Sequence, residues 1–379
     1  LKILQITPVY YPAISFGGIV EVVYHISTIL TENGHEVTVY TTDADKKARI
    51  KVNNLNNVYY FRNISNVLAW KFRLFLPIKM YYYMWKNMEN YDVIHIHDFR
   101  TLITVMAVYF ARKRNIPCIL EPHGSITSDI SQRSMKIIFD LFFSKMIISS
   151  CDKILALNET EKQKCIEKGA SPENIEIVPN GINLKDYIKL PNKGKFRELY
   201  GLKDEKILLY LGRIHESKGL DILIRAFSEL SKLSNINLVI VGPDDGHLSH
   251  LKKLCNELEI TDKVLFTGPI FGKNKLSAYV DADIFVTPLF YGFPLTFLES
   301  MACGIPIITT NNGDYICGIN NKIGYVVHDL KGLEDAIYKI LIDDKLKLKL
   351  SKNAKKEITK YDWSVITKNI EKIYFSLLN

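Results

Sequence analysis

Cysteine is scarce and scattered in this sequence: six residues, at 118, 151, 165, 255, 303 and 317, with no Cys-x-x-Cys pair. Such spacing argues against a disulfide framework or a zinc module and fits a reducing compartment. Long apolar runs are also missing. No uninterrupted stretch reaches the roughly 18 residues a transmembrane helix needs, and residues 2–7 form a short strand pattern closed by Pro8 and Pro12 rather than the core of a signal peptide. The expected location is cytoplasmic, at most peripheral on the inner face of a membrane. No low-complexity segment or solenoid-length repeat occurs. Acid is absent locally: between Asp45 and Glu89 there is no Asp or Glu, while Lys46, Lys47, Arg49, Lys51, Arg62, Lys71, Arg73, Lys79 and Lys86 accumulate. A field of that sign attracts polyanions such as anionic lipid, pyrophosphate-linked compounds or nucleic acid.

What remains is an ordinary globular composition, 47% hydrophobic and 24% charged with net charge +8, over 379 residues, enough for two domains. Strand-like runs at 2–7, 36–42, 93–97, 118–121, 154–156 and 175–178 alternate with amphipathic helical stretches. The alternation restarts at 206–211, 237–241, 263–267, 284–287, 306–309 and 325–327. Such a pattern specifies parallel sheets with right-handed crossovers, and two series predict two Rossmann-like domains. The break falls within 179–195, which holds Pro179, Gly181, Pro191 and Gly194 without a clear period.

Two segments carry the chemistry. The first, Gly212-Arg213-Ile214-His215-Glu216-Ser217-Lys218-Gly219-Leu220-Asp221, follows an apolar strand and opens a helix, so Arg213 and Lys218 sit where α/β sheets bind anions. The second places Phe293-Pro294-Leu295-Thr296 at another helix start and Glu299 one turn further in, before Cys303-Gly304-Ile305-Pro306 leads into a new strand. Together they describe a nucleotide diphosphate site.

At these residues, and at Tyr11-Pro12 to Gly17-Gly18, Gly34-His35-Glu36-Val37, His123-Gly124 and Pro179-Asn180-Gly181-Ile182, the chain resembles the family 4 glycosyltransferases. The resemblance runs nearly end to end. It implies an α/β GT-B fold, with two Rossmann-like domains facing an interdomain cleft and a C-terminal helix crossing back to the first domain. Tyr361-Asp362-Trp363 followed by 365–378 looks like that element. The implied domains are 1–185 plus 362–379, holding the acceptor, and 186–361, holding the sugar nucleotide. The implied activity is retaining, metal-independent transfer of a sugar from a nucleotide-diphosphate sugar, a UDP-sugar first, to an acceptor hydroxyl in lipid-linked oligosaccharide, surface polysaccharide or glycan assembly.

In that family Arg213 and Lys218 would stabilise the charge that develops on the departing diphosphate. The amides of Leu295 and Thr296 would face the phosphates, and Glu299 would accept the ribose hydroxyls. His123 would lie beside the donor sugar, a ring N–H binding a sugar hydroxyl and positioning the anomeric carbon. Gly17 and Gly18, ahead of a helix, would face a phosphate or the acceptor. Catalytic roles thus fall on His123, Arg213 and Lys218, donor contacts on Gly17, Gly18, Tyr291, Leu295, Thr296 and Glu299, and no cofactor is expected. Two positions depart from the pattern. Tyr291 replaces the family's first Glu, and a phenol cannot act as a base at neutral pH. Pro294 replaces a glycine, acceptable at a helix's first position.

Other features have plainer readings beside the functional ones. Gly17-Gly18 can be an ordinary turn, and exposed Arg, Lys or Glu can simply be solvated. His95 and His97 alternate on a strand with Asp98, but spacing suggests no third metal ligand, so core or acceptor-site roles are favoured. Asp281-Ala282-Asp283 is expected to end a helix and turn the chain rather than bind metal. Residues 68–86 mix aromatics with cations. They suit peripheral membrane contact, or a helix with a core face broken at Pro77. Residues 135–148 read as a buried helix. Expected partners are a nucleotide sugar and a glycan or lipid-linked acceptor, and no nucleic acid. The competing functions are a non-catalytic GT-B regulatory subunit and a GT-B sugar-nucleotide epimerase.

Overall fold

The structure, a computed structural model, describes all residues except 14–15, 46–56, 127–132, 234, 291–292, 311–318, 320 and 379. The chain divides into two compact units, Leu1–Gly181 with Trp363–Asn379, and Ile182–Asp362. The chain therefore changes unit first at Gly181/Ile182, a few residues before the sequence-based boundary at 185. In the first unit a β-carbon on Gly181 would lie 2.6 Å from the Trp363 indole, so glycine permits that close approach. In the second, Ile182 N–H donates to Tyr361 C=O at 2.8 Å.

The first unit is built on a seven-stranded parallel sheet. Its strands are β1 (Lys2–Ile6), β2 (Glu36–Thr42), β3 (Asn57–Phe61), β4 (Val93–His97), β5 (Cys118–Glu121), β6 (Lys153–Ala156) and β7 (Ile175–Ile177), in the order β3-β2-β1-β4-β5-β6-β7. Sequence reading missed β3, a short edge strand in which exposed and partly buried residues alternate. The central strands β4 and β5 are buried throughout, as helices on both faces of a parallel sheet require. On one face the helices Gly18–Glu32 and Trp363–Leu378 pack together. Trp363, Ile366, Ile370 and Tyr374 join Ile3, Val22, Val23 and Ile26 in one buried cluster. Each large apolar side chain so placed contributes about 1.5–3 kcal/mol, enough to hold the last helix on this unit.

The second unit repeats the plan with β8 (Lys206–Leu211), β9 (Ile236–Val241), β10 (Val264–Gly268), β11 (Ile284–Thr287), β12 (Ile307–Thr310) and β13 (Gly324–Val327), ordered β10-β9-β8-β11-β12-β13. Strand order reverses about β8, which pairs β9 on one side and β11 on the other. The loops after β8 and β11 therefore flank a switch point at the carboxyl edge, where open α/β sheets bind ligands.

One sequence expectation is corrected here and another is met. Residues 135–148 do not form a buried helix: helical segments Arg133–Phe139 and Lys145–Ser150 flank a π-helical turn, Asp140–Ser144. Ile137, Ile138, Leu141 and Phe142 are exposed, while Phe139, Phe143, Met146 and Ile147 face the core. A continuous apolar run hides this two-sidedness because it has no polar face to mark the outside. Residues 68–86 match the reading of a helical stretch with a core face interrupted near Pro77: helices Asn66–Phe72 and Ile78–Asn87, the second starting just after Pro77. Ala69, Phe75, Met80 and Met84 are buried, whereas Trp70, Phe72, Tyr82 and Trp85 are exposed. Among the described residues, no helix is long and apolar enough to cross a membrane.

Candidate active site

In the second unit, β8 ends at Leu211 and the chain turns through Gly212–Gly219 into the helix Leu220–Leu233. Arg213 is exposed and its guanidinium meets Asp245 at 2.5 Å. Lys218 is half-buried in a short 3-10 turn, Glu216–Lys218, which ends at Gly219 in the left-handed conformation. A β-carbon there would press to 2.9 Å on Leu289, and Leu289 N–H donates to Lys218 C=O at 3.3 Å. The loop after β8 is thus seated directly on the loop after β11.

That second loop leads into the helix Leu295–Cys303, where Pro294 is the N-cap residue (φ −72°, ψ 117°) and Leu295 the first helical one. Pro294 therefore sits one position before the place read from the sequence. With extended backbone it precedes the helix without losing a helical hydrogen bond. The Leu295 and Thr296 amides belong to the first turn, whose N–H groups lack intrahelical acceptors. Tyr291 lies outside the described residues.

Glu299, one turn on, is mostly buried. Its Oε1 accepts from Lys275 Nζ at 2.7 Å and its Oε2 from the Tyr279 hydroxyl at 2.9 Å. Burial, reinforced by Glu299 itself, holds the Tyr279 phenol far above its ordinary pKa, so it stays a donor. A carboxylate has about four lone-pair sites, so two remain for other donors. Lys275 and Tyr279, both on the helix Gly272–Asp281, escaped sequence reading because only tertiary packing brings them to Glu299.

Asp281 and Asp283 serve the scaffold. Asp281 accepts from the amides of Gly194, Phe196 and Arg197 at the start of another helix, Lys195–Tyr200. Asp283 accepts from Ile207 N–H and Lys347 Nζ, each at 2.9 Å. As expected, they close the helix Gly272–Asp281 and lead into β11, and in addition they tie this corner to β8 and to the start of the unit. At the start of the helix after the β8 loop, Asp221 accepts from His247 and His250 at 2.8 and 2.7 Å, a grouping sequence spacing did not suggest.

In the first unit, Gly17 (φ 97°) caps the helix Gly18–Glu32 and both glycines are exposed. His123 and Gly124 follow β5 in left-handed conformations, φ 55° and 81°. A non-glycine residue rarely adopts this geometry without support. Here Glu161 supplies it, accepting from Gly124 N–H at 2.7 Å and Leu157 N–H at 2.8 Å. Burial pushes the Glu161 carboxyl up to about 7 despite those two amides.

The His123 ring faces inward. Its Nε2 lies 2.9 Å from His97 Nδ1 and its Nδ1 3.5 Å from Glu121 Oε1. Sheet register explains the gathering: Gln5 pairs with His95 and His97 with Glu121 on adjacent parallel strands, so these side chains share a face. Burial, with His95 and His123 beside it, holds His97 well below the ordinary imidazole value. Burial lowers His123 as well, against the pull of Glu121. For Glu121 burial acts upward, but His123 and His95 outweigh it and its pKa falls, so it is a buried anion.

Glu121 is the neighbour that spacing did not reveal for His95 and His97, and the three bring ligand-type atoms within 4.8 Å. Both His97 nitrogens are already engaged, however, Nδ1 by His123 and Nε2 by Gln5. The grouping forms a hydrogen-bonded network.

Two parallel α/β units, the second with cationic and helix-start groups at its switch point, define the class: a GT-B glycosyltransferase. Comparison with known proteins gives the family. The model described as Glycosyltransferase Family 4 matches residues 16–186, and that described as Glycosyl transferases group 1 matches residues 192–357. The chain belongs to the family 4 glycosyltransferases. It is 27% identical over 385 residues to an uncharacterised glycosyltransferase of Methanocaldococcus jannaschii, covering 99% and 98% of the two chains. It is 27% identical over 300 residues to the Escherichia coli UDP-Gal:alpha-D-GlcNAc-diphosphoundecaprenol alpha-1,3-galactosyltransferase, covering 75% and 74%. Among solved structures, Anabaena HepE in complex with UDP matches with a TM-score of 0.78 at 16% identity, over 99% and 100% of the two chains.

Proposed function

We propose that this glycosyltransferase is a retaining, metal-independent hexosyltransferase. It takes the sugar from a nucleotide-diphosphate sugar, a UDP-sugar first, and places it on a hydroxyl of a lipid-linked or glycan acceptor. The observation that carries the reading is the joining of the Lys218 turn to the Leu289 loop at the second sheet's switch point. There Arg213, Lys218 and the Leu295 and Thr296 amides can meet a diphosphate, with Glu299 taking the ribose. Names among the relatives support the substrate class: the E. coli relative is named for UDP-Gal and a diphosphoundecaprenol acceptor, and HepE was solved with UDP and with UDP-glucose.

Retention fits the absence of an obvious nucleophile. The acceptor hydroxyl attacks on the face the leaving group departs from, and the departing phosphate takes its proton. Arg213, Lys218 and helix-start amides supply the charge stabilisation that a divalent ion gives elsewhere. Transfer is accordingly expected to persist in EDTA. Loss of activity restored by Mg²⁺ or Mn²⁺ would contradict the metal-independent reading. Peripheral contact with an anionic membrane through 68–86 belongs to the same proposal. It rests on exposed Trp70, Phe72, Tyr82 and Trp85 interleaved with Lys71, Arg73, Lys79 and Lys86.

Incubation with UDP-, GDP- and ADP-sugars, with and without a lipid acceptor, tests the reading through release of free nucleoside diphosphate. Acceptor-dependent release supports it. Turnover without acceptor, giving an epimerised sugar, would favour an epimerase, and silence with every donor a regulatory subunit. Tyr291→Phe is expected to keep nucleoside diphosphate affinity while weakening use of the native donor by about 1–2 kcal/mol, one hydrogen bond's worth. Full activity with an unchanged donor range would show that the phenol does not select the sugar.

A further inference from the structure

The side chains around His123 form hydrogen bonds with one consistent direction. The Gln5 amide nitrogen donates to the Tyr374 oxygen at 3.2 Å, which leaves Gln5 Oε1 to accept from His97 Nε2. With its proton on Nε2, His97 offers a bare Nδ1, and His123 Nε2–H donates to it at 2.9 Å. The Tyr374 hydroxyl donates in turn to His95 Nδ1 at 2.8 Å, so His95 carries its proton on Nε2, 3.3 Å from Glu121 Oε2. One tautomer of each ring follows.

For His123 this leaves Nδ1, buried without a hydrogen bond and facing Glu121 Oε1 at 3.5 Å. An ionised carboxylate has no proton to give, so the pair is completed only when His123 takes one up on Nδ1. The titratable groups around the ring are His95 and His97 on β4, Asp98 at its end, Glu121 on β5, and Glu161, whose carboxylate holds the next amide.

We propose that Glu121 is a positioning residue for His123: its carboxylate, acting with the Nδ1 acceptor of His97, sets the ring plane, the Nε2–H tautomer and the nitrogen that gains a proton. The consequence for transfer rests on the reading of His123 as a donor-side residue, but the geometry can be tested without it.

The test uses the full chain labelled with ¹⁵N-histidine, with His123→Ala identifying the His123 signal in long-range ¹H–¹⁵N spectra. The wild type is expected to show the Nε2–H tautomer. Glu121→Gln is expected to move the His123 titration to lower pH by about one unit or more, because the favourable anion is gone. It should lower kcat about tenfold to a hundredfold, the scale for a misplaced group, with UDP affinity by calorimetry within about twofold. His97→Asn, whose side-chain oxygen can replace the Nδ1 acceptor, is expected to keep the tautomer and most of the rate, and His97→Ala to lose both. An unchanged His123 titration in Glu121→Gln, or an unchanged tautomer in His97→Ala, overturns the proposal. Should Glu121→Gln fail to fold, the His97 pair decides alone. If His123→Ala transfers at the wild-type rate, the donor-side reading of His123 falls while the spectra still judge Glu121.

Discussion

Arg213→Ala and Lys218→Ala are each expected to slow transfer by at least about a hundredfold, the scale for removing a preorganised group aimed at charge that develops in the transition state. The argument is differential. In the ground state the diphosphate charge is shared with the sugar ester, and as the glycosidic bond breaks it gathers on the leaving phosphate, so a fixed cation gains most at that moment. Folding should be little affected by the Arg213 change. Arg213 is 63% exposed and its pair Asp245 43%, and an exposed ion pair of this kind contributes about 0–1 kcal/mol. The decisive measurement is kcat/KM for the native donor beside UDP affinity and a melting curve. Near-normal turnover in both folded variants would remove the diphosphate assignment.

The sheets were legible because each strand of a buried parallel sheet is a short apolar run between turn residues, and because loop and helix alternate regularly around it. The exception, β3, is a short edge strand in which exposed and partly buried residues alternate, and it begins at the end of the polar segment 53–57. Arg213, Lys218, Leu295 and Thr296 could be singled out because each lies at a strand end or helix start, a location local sequence marks with Gly and Pro, and Glu299 because it stands one turn further into the helix Leu295–Cys303. Their partners could not. Lys275 and Tyr279 reach Glu299 from another helix, and Asp245 meets Arg213 from the loop after β9. The same limit explains Glu121 and Gln5, which join the two histidines through sheet register between strands far apart in sequence. It also explains Asp281 and Asp283, whose acceptor duties are set by amides some eighty residues away. Local pattern marks positions, whereas contacts between distant segments decide what a charged side chain does there.

Gly242→Ala is expected to be severely damaging in the second unit. Gly242 follows β9 at φ 150°, and a β-carbon there would sit 1.8 Å from the Gly212 carbonyl oxygen, an overlap with backbone that no rotamer can relieve. The same carbonyl precedes Arg213, and the loops are strapped on either side: Gly212 N–H donates to Val241 C=O at 2.9 Å, Gly242 N–H to Gly268 C=O at 3.0 Å, and Ile214 N–H to Pro243 C=O at 2.9 Å. Admitting a methyl group means parting β8 and β9 at their carboxyl ends, where the proposed diphosphate site lies. A loss of about 4 kcal/mol or more follows, the range reserved for overpacking and backbone strain together, or roughly 10 °C in Tm for a unit of this size. Gly246→Ala is the control. It shares the left-handed backbone, φ 90°, but has open space around it, so only the conformational cost of about 1 kcal/mol applies. Thermal unfolding of both variants, with UDP binding measured at a temperature where each is folded, separates steric overlap from backbone preference. Equal melting temperatures would show that the Gly212–Gly242 approach does not hold the Arg213 loop, whereas a large gap accompanied by weakened UDP binding in Gly242→Ala would tie the fit of two glycines to the placement of the cation.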